Sequence, residues 1–221
     1  MIERKKVATL AELRAEYNKL HSTVRLAEKP RFFRWTLDRL EATARGTAIL
    51  DIGCGRGGLL AAAMERGLAA TGVEISDAAL AAARAEVPGA RVALADGERL
   101  PFRDGAFPLV THLGNLEHFL DPRRGAAEVA RVLAPGGRAA FLLPNAYYSG
   151  DIWRVIRTGY GPDHKQPIDR FATAGEWRDL LQGAGLRVRR ALAYNKFKLW
   201  KRIFPFQLAY HFLFICERER G

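Results

Sequence analysis

Cysteine and long apolar stretches are both scarce in this chain of 221 residues. Its two cysteines, Cys54 and Cys216, are too few for a disulfide framework or a cysteine-based metal site. We therefore expect free thiols in a reducing, cytoplasmic environment and no metal site. No apolar run approaches the roughly 20 residues that span a bilayer, and the N-terminal residues lack the apolar core of a signal peptide.

Composition and charge are those of a globular α/β domain with small additions. The hydrophobic fraction is 48% and the charged fraction is 27%. The formal net charge is +11, yet residues 47–144 hold 10 basic and 11 acidic residues. Residues 1–46 hold 11 basic and 6 acidic residues, and residues 145–221 hold 14 and 7. An anionic substrate or surface would explain these basic flanks, and a solvated arginine-rich surface would explain them equally well.

Residues 47–76 have the pattern of a strand, a glycine turn, a helix and a second strand. Residues 48–52 form a short apolar run that is typical of a buried parallel strand. Three glycines follow in G-x-G-x-x-G spacing: Gly53, Gly55 and Gly58. Glycine permits positive φ angles and lets a ligand approach the backbone closely. Residues 59–66 then predict a helix whose N-terminus points at that ligand.

Acidic residues follow the predicted strands at nearly equal intervals. Glu74 lies 23 residues after Asp51, and Asp96 lies 22 residues after Glu74. One βα unit fits each interval, so the three carboxylates should meet at the carboxyl ends of parallel strands, where open α/β sheets bind ligands. Glu74 is suited to accept both hydroxyls of a ribose. Asp51 would repel a pyrophosphate and attract a cation, which makes a nicotinamide or flavin nucleotide the less favoured ligand.

Residues 50–55, L-D-I-G-C-G, and residues 73–76, V-E-I-S, resemble the S-adenosylmethionine (SAM) site of class I methyltransferases. Three further motifs resemble that family, namely D-G-E-R-L-P-F at 96–102, L-E-H at 116–118 and R-V-L-A-P-G-G-R at 131–138. The resemblance implies a doubly wound, Rossmann-like α/β fold. Its seven mostly parallel strands would have the order 3-2-1-4-5-7-6, with strand 7 antiparallel.

The resemblance also implies which residues hold the cofactor. Asp51 and Gly53 would hold the methionine portion of SAM, and Glu74 would hold the ribose. Asp96 and Gly97 would hold the adenine. The other positions expected to bind or border the cofactor are Cys54, Gly55, Ile75, Glu98, His112 and Leu113.

Two histidines are candidate catalytic bases, because the ordinary pKa of histidine lies near neutrality. His118 belongs to the L-E-H motif, where the alternative is that Glu117 and His118 hydrogen-bond the backbone and hold the turn, and for Glu117 this alternative is preferred. His164 lies in an aromatic and basic segment, where a solvated loop histidine is the alternative. The residues expected near the methyl acceptor are Tyr17, Asn115, Tyr147 and Tyr160. Core packing explains Tyr17 at least as well.

The predicted domain organisation has two parts. Residues 1–46 predict a cap of two helices over the mouth of the site, and residues 47–221 predict the SAM-binding domain. Within that domain, residues 144–172 predict a long loop that covers the substrate. Residues 196–206 alternate basic and apolar residues, and would either contact anionic lipid or pack their aromatic rings on the sheet.

The sequence therefore predicts a SAM-dependent methyltransferase acting on a small, anionic or lipophilic acceptor. Direct in-line transfer to an O, N or C atom requires mainly that the acceptor be positioned. One alternative is an RNA-modifying enzyme, which the basic flanks suggest but which lacks an appended RNA-binding module here. The other alternative is a SAM-binding protein without transfer activity.

Overall fold

The computed structural model describes residues 1–23, 30–161, 166–195 and 205–219. Its strands are β1 (Ile2–Lys5), β2 (Ala48–Ile52), β3 (Ala69–Glu74), β4 (Arg91–Leu94), β5 (Phe107–Leu113), β6 (Leu133–Pro144), β7 (Ile168–Phe171), β8 (Leu186–Tyr194) and β9 (His211–Arg218). Its α-helices are α1 (Leu10–Thr23), α2 (Pro30–Arg39), α3 (Gly58–Glu65), α4 (Asp77–Glu86), α5 (Pro122–Val132), α6 (Ser149–Thr158) and α7 (Ala174–Gly183). Short 3-10 turns occupy Leu116–His118 and Phe206–Leu208.

Seven strands form one sheet in the order β4-β3-β2-β5-β6-β9-β8. The pairs from β4 to β6 are parallel, whereas β9 runs antiparallel to both β6 and β8. This order confirms the predicted doubly wound arrangement, with its last strand inserted antiparallel. The parallel strands therefore end along one edge, which is the edge that carries the glycine turn.

Apolar clusters cover both faces of the sheet. Alternate residues of a strand point to opposite faces, so Ile49 of β2 lies in one cluster and Leu50 in the other. Helices α2 and α3 cover the face of Ile49, and α5 and α7 cover the face of Leu50. Cys54 and Cys216 are both free and buried.

The structure differs from the sequence prediction at the N-terminus. The two expected cap helices are present as α1 and α2, but β1 precedes them and pairs antiparallel with β7. Ile2 lies opposite Phe171, and Lys5 lies opposite Ile168. The segment I-E-R-K carries a single apolar residue and is exposed, so it has no local pattern that marks a strand.

Residues 144–172 were predicted to be a loop, and that prediction is wrong for the described part of the segment. It contains α6 and β7. The apolar residues of α6 recur at helical spacing, and Ile168 of β7 is fully buried. Aromatic and glycine content had masked this periodicity. In the parts of the chain that the structure describes, no helix is long and apolar enough to cross a membrane.

Candidate active site

A cavity of about 840 Å³ opens at the carboxyl ends of β2, β3, β4 and β5. Ten of the predicted cofactor-binding residues line it: Asp51, Gly53, Cys54, Gly55, Glu74, Ile75, Asp96, Gly97, Glu98 and Leu113. Side chains of α1 and α2, among them Tyr17 and Phe33, close the opposite wall. The cavity thus lies where an open α/β sheet binds ligands, beneath the helical cap.

Position 53, in the turn after β2, requires glycine for two reasons. Its φ angle is +68°, which L residues with side chains rarely adopt. A β-carbon at this position would also overlap the side-chain amide of Asn115. That amide donates hydrogen bonds to the carbonyls of Ile52 and Gly53, at 2.5 and 3.3 Å. Asn115 therefore fixes the floor of the cavity from the end of β5.

The carboxylate of Glu74 ties the glycine turn to the end of β3. Its Oε2 accepts a hydrogen bond from the N–H of Gly55 at 2.9 Å. Its Oε1 accepts from the N–H groups of Ile75 and Ser76, at 2.8 and 2.9 Å. A carboxylate offers about four acceptor sites, so about one remains for a ligand hydroxyl. The sequence prediction assigned two ribose hydroxyls to this group.

Asp51 is a buried carboxyl at the tip of β2. Its Oδ1 accepts a hydrogen bond from the hydroxyl of Thr111 at 2.7 Å. Burial raises the pKa of Asp51 to about 7, and the Thr111 hydroxyl partly opposes this rise. A cationic group placed against the carboxyl would favour its ionised form. Asp51 therefore suits a positively charged ligand better than an anionic one.

Buried polar atoms without a partner cluster on the cavity wall. Within the described residues, five such atoms belong to side chains that line the cavity, namely Tyr17 Oη, His21 Nδ1, Asn115 Oδ1, Glu117 Oε2 and Gln166 Oε1. A buried polar atom usually has a hydrogen-bond partner, and leaving one unpaired costs about 1–3 kcal/mol. Five on one surface indicate a wall shaped for a polar ligand, which is consistent with a polar cofactor and acceptor.

The tautomer of His118 follows from its contacts. This residue ends the 3-10 turn after β5 and lines the cavity. Its Nδ1 is hydrogen-bonded to the carbonyl of Ile168 on β7, and Asp169 Oδ1 lies 3.6 Å away. Because a carbonyl can only accept, Nδ1 carries the proton and Nε2 keeps a lone pair. Burial is the main cause that lowers the pKa of His118 to about 4, with the charge of Arg170 acting in the same direction and the Ile168 carbonyl opposing it, so the ring is neutral at pH 7.

The sequence also suggested that the Glu117 side chain holds the turn through hydrogen bonds, and that role stays a prediction. The structure adds a second side chain on the turn, since the Arg170 guanidinium donates to the carbonyls of Glu117, Phe119 and Leu120. Arg170 is buried and also forms an ion pair with Glu3 of β1. Burial is the main cause that raises the pKa of the Glu117 carboxyl to about 8, and the charge of Asp169 contributes to that value. Glu117 Oε1 lies 3.8 Å from Nε2 of His118.

Sequence reasoning missed Asp169 and Arg170. They are about 50 residues from the turn that they contact, inside a segment predicted to be a loop. The two charged residues of I-D-R-F are adjacent, so the segment lacks the alternation of apolar and polar residues that marks a strand. The contacts of these two side chains depend on β7 lying beside the turn, which no local pattern indicates.

His112 was expected to border the cofactor, and the structure corrects this. Alternate side chains of β5 face opposite sides, so His112 lies with Val110 in the core beneath α5, whereas Leu113 lines the cavity. The His112 ring contacts those of Phe119 and Phe141, at centroid distances of 4.8 and 5.7 Å. Burial lowers its pKa to about 3. His112 is therefore a core residue of the wall rather than a ligand contact.

The predicted acceptor residues separate into two groups. Tyr17 and Asn115 line the cavity, and the Tyr17 ring lies 6.3 Å from that of His118. Tyr147 and Tyr160 lie outside it and are 55% and 76% exposed, because both flank the protruding helix α6. His164 lies outside the described residues, as does most of the segment 196–206.

Three features together define the class of this protein. They are the doubly wound sheet with an antiparallel strand next to its edge strand, the glycine turn after β2, and the acidic side chains at successive strand ends. This combination is that of a class I SAM-dependent methyltransferase.

Comparisons with known proteins agree with this class. Residues 50–141 match the family described as "Methyltransferase domain". A ubiquinone biosynthesis O-methyltransferase of Pseudomonas paraeruginosa is 30% identical over 199 residues, which cover 82% of this chain and 80% of that protein. An uncharacterized methyltransferase of Mycobacterium sp. strain JLS is 38% identical over 99 residues, 45% of this chain but only 39% of that protein's length.

A solved structure has the same fold. The SAM-dependent methyltransferase from Mesorhizobium loti superposes with a TM-score of 0.65 at 20% identity, covering 85% of this chain and 96% of that one. The chain belongs to the family of SAM-dependent methyltransferases. This confirms the class and the cofactor that the sequence motifs predicted.

Proposed function

We propose that this protein transfers the methyl group of SAM to a hydroxyl oxygen of a small-molecule acceptor, with His118 as the general base. The observation that carries the proposal is a neutral histidine in the cavity wall whose Nε2 keeps its lone pair. The O-methyltransferase name of the Pseudomonas relative supports an oxygen acceptor.

The cofactor half of the cavity has the donor set that SAM requires. Asp51 would receive the ammonium group, since its buried carboxyl favours a cationic partner. Glu74 would receive a ribose hydroxyl, and Asp96 with Gly97 would border the adenine. When bound, SAM supplies a methyl group that its sulfonium already activates, so the protein needs to add little covalent chemistry.

The acceptor half holds groups that can bind and deprotonate a hydroxyl. Tyr17 and Gln166 present buried polar atoms that an acceptor could satisfy. A hydroxyl keeps its proton at neutral pH, so transfer to its oxygen requires a base within hydrogen-bonding reach. The low pKa of His118 keeps Nε2 unprotonated across the physiological range. The hydrogen bond to the Ile168 carbonyl raises the pKa of His118 and so favours the imidazolium once the proton arrives, and the Asp169 carboxylate lies 3.6 Å from Nδ1.

Transfer of a labelled methyl group to a panel of small hydroxyl compounds tests this function. The panel contains aromatic and aliphatic hydroxyls, each with and without an apolar tail, and a separate arm contains RNA. We expect transfer to one class of hydroxyl compound. The His118→Gln variant should lower kcat about 100-fold to 1,000-fold while the Kd for SAM stays within about threefold.

A matched control is His21→Gln, because His21 also lines the cavity but no partner fixes its tautomer among the described residues. Its kcat should fall much less than that of His118→Gln. Methyl transfer confined to RNA, or SAM binding with no transfer to any acceptor, would overturn the proposed reaction. Equal losses in the two variants would overturn the role of His118.

A further inference from the structure

Helix α6 presents a wide apolar face to solvent. Every residue of α6 is at least partly exposed, and Trp153 and Ile156 are 61% and 70% exposed. Its large apolar residues are Ile152, Trp153, Val155 and Ile156. At 100° per residue they fall within an arc of about 160°. A helix with this pattern normally buries its apolar face, and here the described chain does not cover it.

The exposed apolar surface is concentrated at this helix. Six of the ten exposed large apolar residues of the described chain lie between Tyr147 and Tyr160. The other four are Met1, Ile2, Leu10 and Leu94, spread over three elements and the N-terminus. A hollow of about 290 Å³ lies between α6 and the residues Asn145 and Phe171, and Ile152, Val155 and Ile156 line it on the helix side. Contiguous exposure of this kind marks an interaction surface.

Positive charge accompanies the apolar face. Arg154 lies on the side of α6 opposite the apolar arc, Arg157 lies next to Trp153 at the border of that arc, and no described residue forms an ion pair with either. Residues 145–221 carry 14 basic and 7 acidic residues, and the whole chain has a net charge of +11. Trp and Tyr beside arginine are typical of helices that lie in the interface of an anionic bilayer. A second copy of the chain would bring the same positive charge, which makes self-association through this face unfavourable.

The helix begins at the rim of the cavity. Tyr148 directly precedes α6, and its ring packs edge-on against that of Tyr210 at a centroid distance of 5.0 Å. Tyr210 lines the cavity. A surface that binds α6 would therefore also lie close to the acceptor half of the cavity.

We infer that α6 docks this protein on an anionic phospholipid surface. Trp153 and Ile156 enter the boundary between headgroups and acyl chains, and the guanidinium groups of Arg154 and Arg157 extend to the phosphates. Lipid binding is independent of methyl transfer, although an acceptor with an apolar tail could then reach the cavity from the bilayer.

Co-sedimentation with phospholipid vesicles tests the docking surface. We expect the protein to bind vesicles of phosphatidylcholine and phosphatidylglycerol, and to bind phosphatidylcholine alone at least about tenfold more weakly. The double variant Trp153→Ser/Ile156→Ser should lower the partition coefficient at least about tenfold, and Arg154→Gln/Arg157→Gln should do the same. Leu94→Ser is the matched control, since Leu94 is a 40% exposed apolar residue on β4, and it should leave binding unchanged.

Calorimetric titration of each variant with SAM shows whether the variant is folded. The calorimetric signal does not depend on methyl transfer. The vesicle result can therefore be interpreted even if the proposed reaction is not observed. Vesicle binding that is unchanged in Trp153→Ser/Ile156→Ser, or no binding to anionic vesicles, would overturn the inference. Loss of a dimer in that variant without any vesicle binding would assign α6 to a second copy of the chain and would also overturn it.

Discussion

Replacing Asp51 with asparagine should stabilise the empty protein and weaken its binding of SAM. Burial raises the pKa of Asp51 from an ordinary value near 3.8 to about 7. A raised pKa means that folding favours the protonated carboxyl. The stability that Asp51 contributes is therefore complete below about pH 4 and is lost as the pH rises to about 7.

The magnitude follows from the size of the shift. A difference of about 3 pKa units at 1.36 kcal/mol each gives at most about 4 kcal/mol of lost stability at pH 8. Asparagine stays neutral, and its Oδ1 can still accept the hydrogen bond from Thr111. We expect Asp51→Asn to raise the free energy of unfolding by about 2–4 kcal/mol at pH 8, and by less than half of that at pH 5. Urea denaturation at the two pH values measures this.

Cofactor affinity should change in the opposite direction. Loss of a charge-assisted hydrogen bond to the ammonium group costs about 1.5–3 kcal/mol, which raises the Kd for SAM about 10-fold to 150-fold. In the wild-type protein the Kd should also rise as the pH falls below about 7, because the carboxyl must lose its proton to receive a cation. The Asp51→Asn variant should lack this pH dependence in calorimetric titrations.

Asp38→Asn is the control for both measurements. Asp38 is a surface carboxylate in an ion pair with Arg66, so its replacement should change stability by about 1 kcal/mol or less and leave the Kd unchanged. An Asp51→Asn protein that is less stable at pH 8 and binds SAM as tightly as the wild type would refute the reasoning.

Three other predictions concern the glycine turn, the pH dependence of the reaction and the buried guanidinium of Arg170. Gly53→Ala should destabilise the protein by about 2–4 kcal/mol in thermal unfolding, because backbone strain adds to overlap with the Asn115 side chain. The control is Gly136→Ala, which has a similar φ of +74° but open space around the β-carbon, and it should cost only about 1 kcal/mol. For acceptor methylation, kcat/KM should rise through about pH 8 as Glu117 ionises beside the catalytic histidine, and Glu117→Gln should flatten that profile. Arg170→Met should lower the free energy of unfolding by about 3 kcal/mol and kcat at least about tenfold, and an unchanged kcat would contradict its positioning role.

The sheet and the cofactor half of the cavity could be predicted because their signals are contiguous. The strand, the glycine turn and the acidic strand ends each lie within one βα unit, and the near-equal spacing of Asp51, Glu74 and Asp96 places them along one edge. Even there, successive side chains of a strand point to opposite faces of the sheet, so a shift of one position changes the face. His112 and Leu113 are adjacent, yet one lies in the core and the other lines the cavity.

The acceptor half depends on contacts between distant segments, which sequence patterns do not encode. The carbonyl of Ile168 sets the tautomer of His118 from 50 residues away. Strand β1 supports that arrangement through the ion pair of Glu3 with Arg170, across 167 residues of chain. Neither Ile168 nor Glu3 belongs to a sequence pattern that marks it as part of the site. The position of β7 beside the turn after β5 brings Arg170 to that turn, and the pairing of β1 with β7 adds Glu3.

The most direct test of the central claim is a crystal structure with S-adenosylhomocysteine. The claim is that the cavity at the ends of β2, β3 and β5 is the cofactor site. We predict the ammonium group against Asp51, a ribose hydroxyl on Glu74 and the adenine beside Asp96, with His118 facing the vacant acceptor half. A nucleoside bound elsewhere, or bound with its ribose away from Glu74, would contradict the account.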